Sequence, residues 1–404
     1  MAGNVSRQRA VWIFAGGPMQ EITARKAIER GFRLLVTDRN PECVCSGYAD
    51  ELVALDTFDI PGNLKAASRL ARKFRIEAVL APAADCHETV AHVGKKLGLP
   101  AVSPGISRIC RYKNMTREVL SGAGIPQPRF RAVGSLRDAR QFMRELGSRA
   151  VVKATDNSGS RGFGAVAGPG EMTRQVFERA VEAGTTGRVI VEEMLSPLEN
   201  EMAEQSVETL WYNGKMYWLN WVDRLFRKDF LLFDSLKTGV YSDVSFGVEI
   251  GHVNPAVHAY GIKNQVADLV HRAGRAIGME KEKGGHILKA DIMLTAGGPY
   301  ILELTPRLSG GWDSSASTPA RGADFAGGAI SLALGEKLGI ESWHRYFQYK
   351  NPELYSAVLA RIEVGAQDCI GRRFAIGSEY RRERAMENAL SNLLEERYVI
   401  PVVQ

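Results

Sequence analysis

Short apolar runs and amphipathic stretches alternate from the start of the chain. Val11–Ala15 reads as a buried strand, Glu21–Arg30 as a helix and Leu34–Thr37 as a second strand. Leu64–Phe74 follows as a helix, Ala78–Leu80 as a third strand and His87–Leu97 as a further helix. Such alternation predicts a parallel sheet with helices on its faces. Gly16-Gly17-Pro18 falls at the first strand-to-helix turn, where a backbone can approach a ligand closely. It lacks the GxGxxG spacing of a dinucleotide site, and Asp38 after the second strand does not supply it, so these glycines read as tight-turn residues.

The rhythm breaks at Ala123-Gly124-Ile125-Pro126-Gln127-Pro128, a boundary by composition. Beyond it, Ala150–Ala154 reads as a strand, a Gly/Ser-rich loop runs through Gly164, Met172–Ala183 is helical, and Arg188–Glu193 is a strand. Asn213-Gly214 marks a hairpin turn in which Glu204–Tyr212 pairs with Lys215–Val222. Val257–Ile277 has helical spacing. Lys289–Leu294 and Tyr300–Leu304 flank Ala296-Gly297-Gly298-Pro299 as a second hairpin, and Glu379–Glu396 is a charged helix.

At 404 residues the chain is too long for one ordinary core, so two or three domains are expected. Hydrophobic residues make up 45% and charged residues 24%, which suits a globular protein, and no apolar run is long enough for a membrane span. The polar start precedes an apolar run too short for a secretory signal, so a cytoplasmic location is expected. Five cysteines (Cys43, Cys45, Cys86, Cys110, Cys369) are too scattered for a disulfide framework. Cys43 and Cys45 with Cys86-His87 lack a second CxxC-type pair to make a zinc site, so buried reduced thiols are the expectation. The net charge of +6 is spread without a basic stripe, which argues against nucleic acid and fits attraction of small anions.

Three clusters carry chemistry. In Val151-Val152-Lys153-Ala154-Thr155-Asp156-Asn157-Ser158-Gly159-Ser160-Arg161-Gly162, a lysine ends a strand and a loop of small residues follows. Such a loop can wrap N–H groups and hydroxyls around phosphate oxygens while the lysine adds a point charge; it is not a Walker A loop. Val189-Ile190-Val191-Glu192-Glu193-Met194-Leu195 could offer backbone to a purine edge and an apolar wall to its face. In the third, Asp291 and Glu303 each interrupt an apolar strand of one predicted hairpin, and Arg307 follows. Burying such carboxylates is costly without a cation, so a Mg2+ site completed by phosphates is the functional reading and a pair of salt bridges the plain one.

The order of these clusters resembles the ATP-grasp superfamily, and within it the carboxylate–amine ligases and carbamoyl-phosphate-synthase-like proteins, over roughly Val11 to Ile330. Thr37-Asp38-Arg39-Asn40-Pro41 with Ala49-Asp50 is similar to the family's D-x-N-P … A-D stretch. Ile109-Cys110-Arg111-Tyr112-Lys113 with Arg117 is similar to its entry to the ATP-grasp fold. The resemblance implies an α/β protein: a pre-ATP-grasp parallel-sheet domain at 1–112, an ATP-grasp domain at 113–332 (halves 113–187 and 188–332), and a small C-terminal appendage at 333–404.

It also implies roles. Lys113 and Lys153 would contact ATP phosphates under a mobile loop that includes Ser158, Gly159, Ser160 and Gly162. Glu192 would lie by the adenine amino group, Glu193, Met194 and Leu195 would line the base, and Glu204 would hold the ribose. Asp291, Glu303 and Thr305 would bind Mg2+ (or Mn2+). Arg307, the catalytic residue with Lys153, would stabilise the acyl-phosphate transition state, with Ser309, Gly310, Gly311 and His286 on the substrate side. Phe226–His258, with Arg227, Lys228, Asp229, Tyr241, His252 and His258, is expected to shape the substrate pocket. One departure stands out: the family's Glu-x-Asn-x-Arg reads Glu303-Leu304-Thr305-Pro306-Arg307, and a threonine hydroxyl is a poorer ligand than an asparagine carbonyl. The activity implied is joining a small carboxylate to an amine. Phosphorylation of bicarbonate or carbamate, and ATP binding with impaired catalysis, are the alternatives. A homodimer is a possible assembly.

Overall fold

The protein is described from a computed structural model covering residues 7–157, 162–199, 201–226, 229, 248–337, 339–364 and 370–398. Its first sheet comes from β1 (Arg9–Phe14), β2 (Arg33–Thr37), β3 (Glu51–Val53) and β4 (Arg75–Leu80), with α1 (Glu21–Glu29), α2 (Ile60–Lys73) and α3 (His87–Leu97) between or after them. The strand order is β3-β2-β1-β4, and every pairing is parallel. Residue parity along β1 sorts the core: Ala10, Trp12 and Phe14 pack with Ala67, Leu70 and Val93 on one face. Val11 and Ile13 pack with Ala24 and Ala27 on the other. Asp59 caps α2 by accepting from the Gly62 N–H, and Gly98 closes α3 in the left-handed conformation.

Two helices, α4 (Pro104–Arg111) and α5 (Lys113–Gly122), lead into a small antiparallel sheet. Its strands are β5 (Phe130–Val133), β6 (Ala150–Ala154), β7 (Gly164–Val166) and β8 (Val189–Glu193), backed by α6 (Leu136–Leu146) and α7 (Arg174–Glu182). The order β5-β8-β6-β7 sets β8 inside this sheet, although it follows the division expected at residue 187.

The third sheet has seven strands in the order β13-β12-β9-β10-β11-β14-β15. They are β9 (Glu204–Tyr212), β10 (Lys215–Leu225), β11 (Gly251–Asn254), β12 (Gly285–Thr295), β13 (Gly298–Thr305), β14 (Tyr355–Val364) and β15 (Ile370–Glu379). Asn213 and Gly214, at φ 48° and 81°, make the tight β9–β10 turn, matching the right-handed twist of the strands. Along one face lies α8 (Tyr260–Ile277), whose Val266, Leu269, Val270 and Ala273 pack with Val207, Trp211 and Leu288. The chain beyond 333 continues this sheet through β14 and β15, because β14 pairs with β11, and α12 (Arg382–Leu394) covers it. Three further helices, α9 (Thr318–Ala320), α10 (Phe325–Ala333) and α11 (Ile340–Phe347), connect the sheets, and α10 inserts Ile330 and Ala333 into the core beneath the N-terminal sheet.

Candidate active site

Asp291 on β12 and Glu303 on β13 stand directly opposite each other in the hairpin register. Burial pushes the Glu303 carboxyl up, but Lys113 pulls it below its ordinary value, donating from Nζ to Glu303 Oε1 at 2.9 Å and to the Asn157 carbonyl at 2.6 Å. Burial opposes ionisation of Asp291 as well, and Arg224 and Lys289 overcome it. Lys289 Nζ lies 2.5 Å from Asp291 Oδ1, and Arg224 lies 3.3 Å from Oδ2 while also reaching Glu249 at 2.6 Å. Thr305 ends β13, buried and opposite Lys289. Two facing, ionised carboxylates fit one hard cation; Thr305 offers only a hydroxyl as a third donor.

The second assembly centres on Glu192, fully buried at the inner strand of the small sheet. Burial would raise its carboxyl, yet Arg117 and Lys153 hold it well below the ordinary carboxylate range. Arg117 donates from Nε to Oε1 at 2.7 Å, and Lys153 from Nζ to Oε2 at 2.8 Å. Arg117 also reaches the carbonyls of Ile301 (2.9 Å) and Leu302 (2.7 Å) on β13. Arg117 and Lys153 thus occupy one oxygen each of the Glu192 carboxylate. Glu193 is bound by Arg129 at 3.1 Å, and its N–H donates to the Arg129 carbonyl at 2.8 Å, while the Met194 N–H donates to the Arg149 carbonyl at 2.9 Å. Leu195 follows on the edge of the core around α8.

Arg307 leaves β13 toward the N-terminal sheet, where Asp85 accepts from its Nε at 2.9 Å and from a terminal nitrogen at 2.5 Å. Next come Ser309, Gly310 and Gly311, with Gly311 at φ 64°. Glu208 on β9 accepts from the Ser309 N–H at 2.7 Å, and Ser206 and Ser309 hydroxyls meet at 3.3 Å. Burial, with Asp313 beside it, pushes the Glu208 carboxyl up to about 8. Asn220 bridges Glu208 (2.9 Å) and Asp313 (3.0 Å), and Asn254, Ser317 and Thr318 also donate to the Asp313 carboxylate at 3.0, 2.8 and 3.2 Å.

The remaining expected residues fall at different distances from this centre. Glu204 opens β9 opposite Met293 of β12 and near Arg224, whose protonated form it favours. His286, at the start of β12, is bound to the Lys283 carbonyl at 3.0 Å and shares the walls of a cavity of about 100 Å³ with Arg307, His87 and Ser107. Gly162 is placed at φ 68°, where an added Cβ would meet Ala183. Ser158, Gly159 and Ser160, with Arg227, Lys228, Tyr241 and Cys369, lie outside the described residues. The other four cysteines are free thiols and buried. Of the pocket residues, His252 meets the Ser317 hydroxyl at 2.9 Å and His258 meets Asp223 at 2.7 Å. Sequence reasoning gave no role to Lys289, Glu208 or Asp85. Lys289 left one signal, a lysine two residues before Asp291 inside an apolar strand.

No known family profile matches the chain. It is 24% identical over 302 residues to an uncharacterised protein of Sinorhizobium fredii, covering 72% of this chain and 55% of that protein. It is 26% identical over 212 residues to the D-alanine–D-alanine ligase of Desulforudis audaxviator, covering 52% of this chain and 62% of that ligase. The matches therefore span less than two thirds of either relative. Among solved structures, the L-amino acid ligase from Bacillus licheniformis matches with a TM-score of 0.66 at 18% identity, over 88% of this chain and 80% of that one. The ADP complex of an N5-carboxyaminoimidazole ribonucleotide synthetase matches with a TM-score of 0.70 at 16% identity, over 97% and 99%. A parallel N-terminal sheet joined to these two antiparallel sheets is the fold of the ATP-grasp ligases, as the sequence resemblance implied.

Proposed function

We propose that the protein is an ATP- and Mg2+-dependent ligase that activates a small carboxylate as an acyl phosphate and joins it to an amine. The observation that carries this reading is the convergence of two facing, ionised carboxylates, Asp291 and Glu303, with the cations Lys113 and Lys289. Lys153, held by Glu192, and Lys113 would contact the phosphates of ATP under the loop that ends at Gly162. The strand end at Glu192–Leu195 would present backbone to the adenine, and Glu204 would reach the ribose. Mg2+ at Asp291 and Glu303, with Thr305 acting directly or through water, would neutralise phosphate charge.

Arg307, oriented by Asp85, would spread the negative charge that develops as the substrate carboxylate attacks the γ-phosphorus. Ser309, Gly310 and Gly311, fixed by Glu208, would bound the acyl side, and His286 the far wall. The amine then attacks the acyl carbon and phosphate leaves, so no covalent link to the chain is needed. Closure over the phosphates would exclude water, which would otherwise hydrolyse the acyl phosphate.

Release of ADP and phosphate, screened with Mg2+ against pools of amino acids and other carboxylates with and without amines, tests this. Turnover that needs a particular acid and amine together supports the ligase. Turnover with bicarbonate and no organic acid supports a carboxylating reading, which the structural match to N5-carboxyaminoimidazole ribonucleotide synthetase favours second. ATP binding without turnover in any pool supports the third reading, a nucleotide-binding protein with impaired catalysis in which Thr305 matters. No helix among the described residues is long and apolar enough to cross a membrane.

A further inference from the structure

Lys289 occupies an unusual place for a lysine. It sits within β12, its side chain 11% exposed, between Glu208 on one neighbouring strand and Thr305 on the other. Successive residues of a strand alternate faces, so positions 289 and 291 project to the same side. The Lys289 ammonium meets Asp291 Oδ1 at 2.5 Å, and the Arg224 guanidinium approaches Oδ2 at 3.3 Å. Both oxygens of one of the two candidate metal carboxylates therefore carry a fixed cation. On the partner strand, position 305, an asparagine in the Glu-x-Asn-x-Arg pattern that the sequence resembles, holds the hydroxyl of Thr305. Among the described residues, no cluster of three or more His, Cys, Asp or Glu side chains surrounds the pair.

Two independent features thus point one way: an oxygen donor is replaced, and a buried ammonium stands beside the place it would serve. Mg2+ requires a nearly octahedral shell of oxygens and sheds water reluctantly. A second ion bridging Asp291 and position 305 would lie against the Lys289 ammonium in a setting that screens charge poorly. A lysine ammonium is a compact positive charge with three donors, of which Asp291 takes one, leaving two for phosphate oxygens.

We infer that Lys289 stands in place of a second divalent cation, so that the centre holds one metal ion where two carboxylates and a carbonyl would hold two. The inference rests on the proposed ATP and metal site at Asp291 and Glu303. The test is to titrate the full chain, saturated with a non-hydrolysable ATP analogue, with Mn2+, following bound metal by electron paramagnetic resonance. One Mn2+ per chain with an uncoupled spectrum is expected. Lys289→Gln removes the ammonium and adds a carbonyl oxygen, and combined with Thr305→Asn it is expected to bind two ions with a spin-coupled spectrum. Two Mn2+ per wild-type chain would overturn the inference while leaving the metal site standing. Analogue binding with no Mn2+ retained would overturn both, because the carboxylate pair would then not be a metal site. The wild-type count decides the matter even if the double variant fails to fold.

Discussion

At Glu192 a single carboxylate ties α5, β6 and β13 together, since Arg117 binds it while holding two carbonyls of β13 and Lys153 takes its other oxygen. Glu192→Gln leaves the buried Arg117 charge without its partner, so a loss of about 3–5 kcal/mol in unfolding free energy is expected from urea titration. The pH dependence follows from direction. The folded carboxyl titrates below its unfolded value of 4.5, so wild type keeps its advantage above that pH. It loses the advantage as pH falls through the folded value, and the gap between wild type and Glu192→Gln should narrow only in acid. A gap that stayed constant from pH 7 to pH 3 would mean that the charge does not stabilise the fold. At the reaction centre, Glu303→Gln keeps the shape but removes one metal charge. Turnover is expected to fall by at least about 10²-fold, on the scale of removing one transition-state partner, with unchanged circular dichroism. Wild-type activity in that variant would remove the proposed metal site. The carboxylates were legible in the sequence because each interrupts an apolar run, whereas Glu208 and Arg224 resemble ordinary surface charges until the sheet buries them.

Elements with a local signal were readable and those defined by distant partners were not. The β9–β10 hairpin announces itself through Asn213-Gly214, and α3 matches its apolar spacing from His87 to Leu97. β11, β14 and β15 carry no turn signature that fixes their pairing; β14 finds β11 about a hundred residues earlier in the chain. The close fit of α8 on β9 offers a test at this scale. Alanine normally favours a helix over glycine by about 1 kcal/mol. A Cβ at Gly274, however, would fall 2.2 Å from the buried Trp211 ring. Gly274→Ala should therefore destabilise by about 1–3 kcal/mol, read from the denaturation midpoint, as an overpacked core does. A more stable variant would show that the helix can shift off the sheet at little cost.

Across the whole molecule, the proposed centre is assembled from three sheets, and the Asp85–Arg307 pair joins the first to the third. Asp85→Asn keeps the size of the side chain but loosens the guanidinium. The expected result is a fall of about 10- to 100-fold in kcat/KM for the acyl substrate with little change in ATP affinity, since small misplacements of positioned groups are costly. An equal loss in ATP binding would mean that the pair only holds the domains together. The N-terminal sheet has a second tie, where Arg30 meets the Ser331 hydroxyl at 3.0 Å across 301 positions of sequence. Ile330 and Ala333 complete the apolar layer under Val11 and Ile13 there. A ribosome adding roughly 5–20 residues per second needs on the order of 15–60 s to make that stretch. During synthesis, then, one face of the first sheet emerges with α1 on it but long before the rest of its cover exists, and that uncovered greasy part is exposed to whatever chaperones or neighbouring nascent chains it meets.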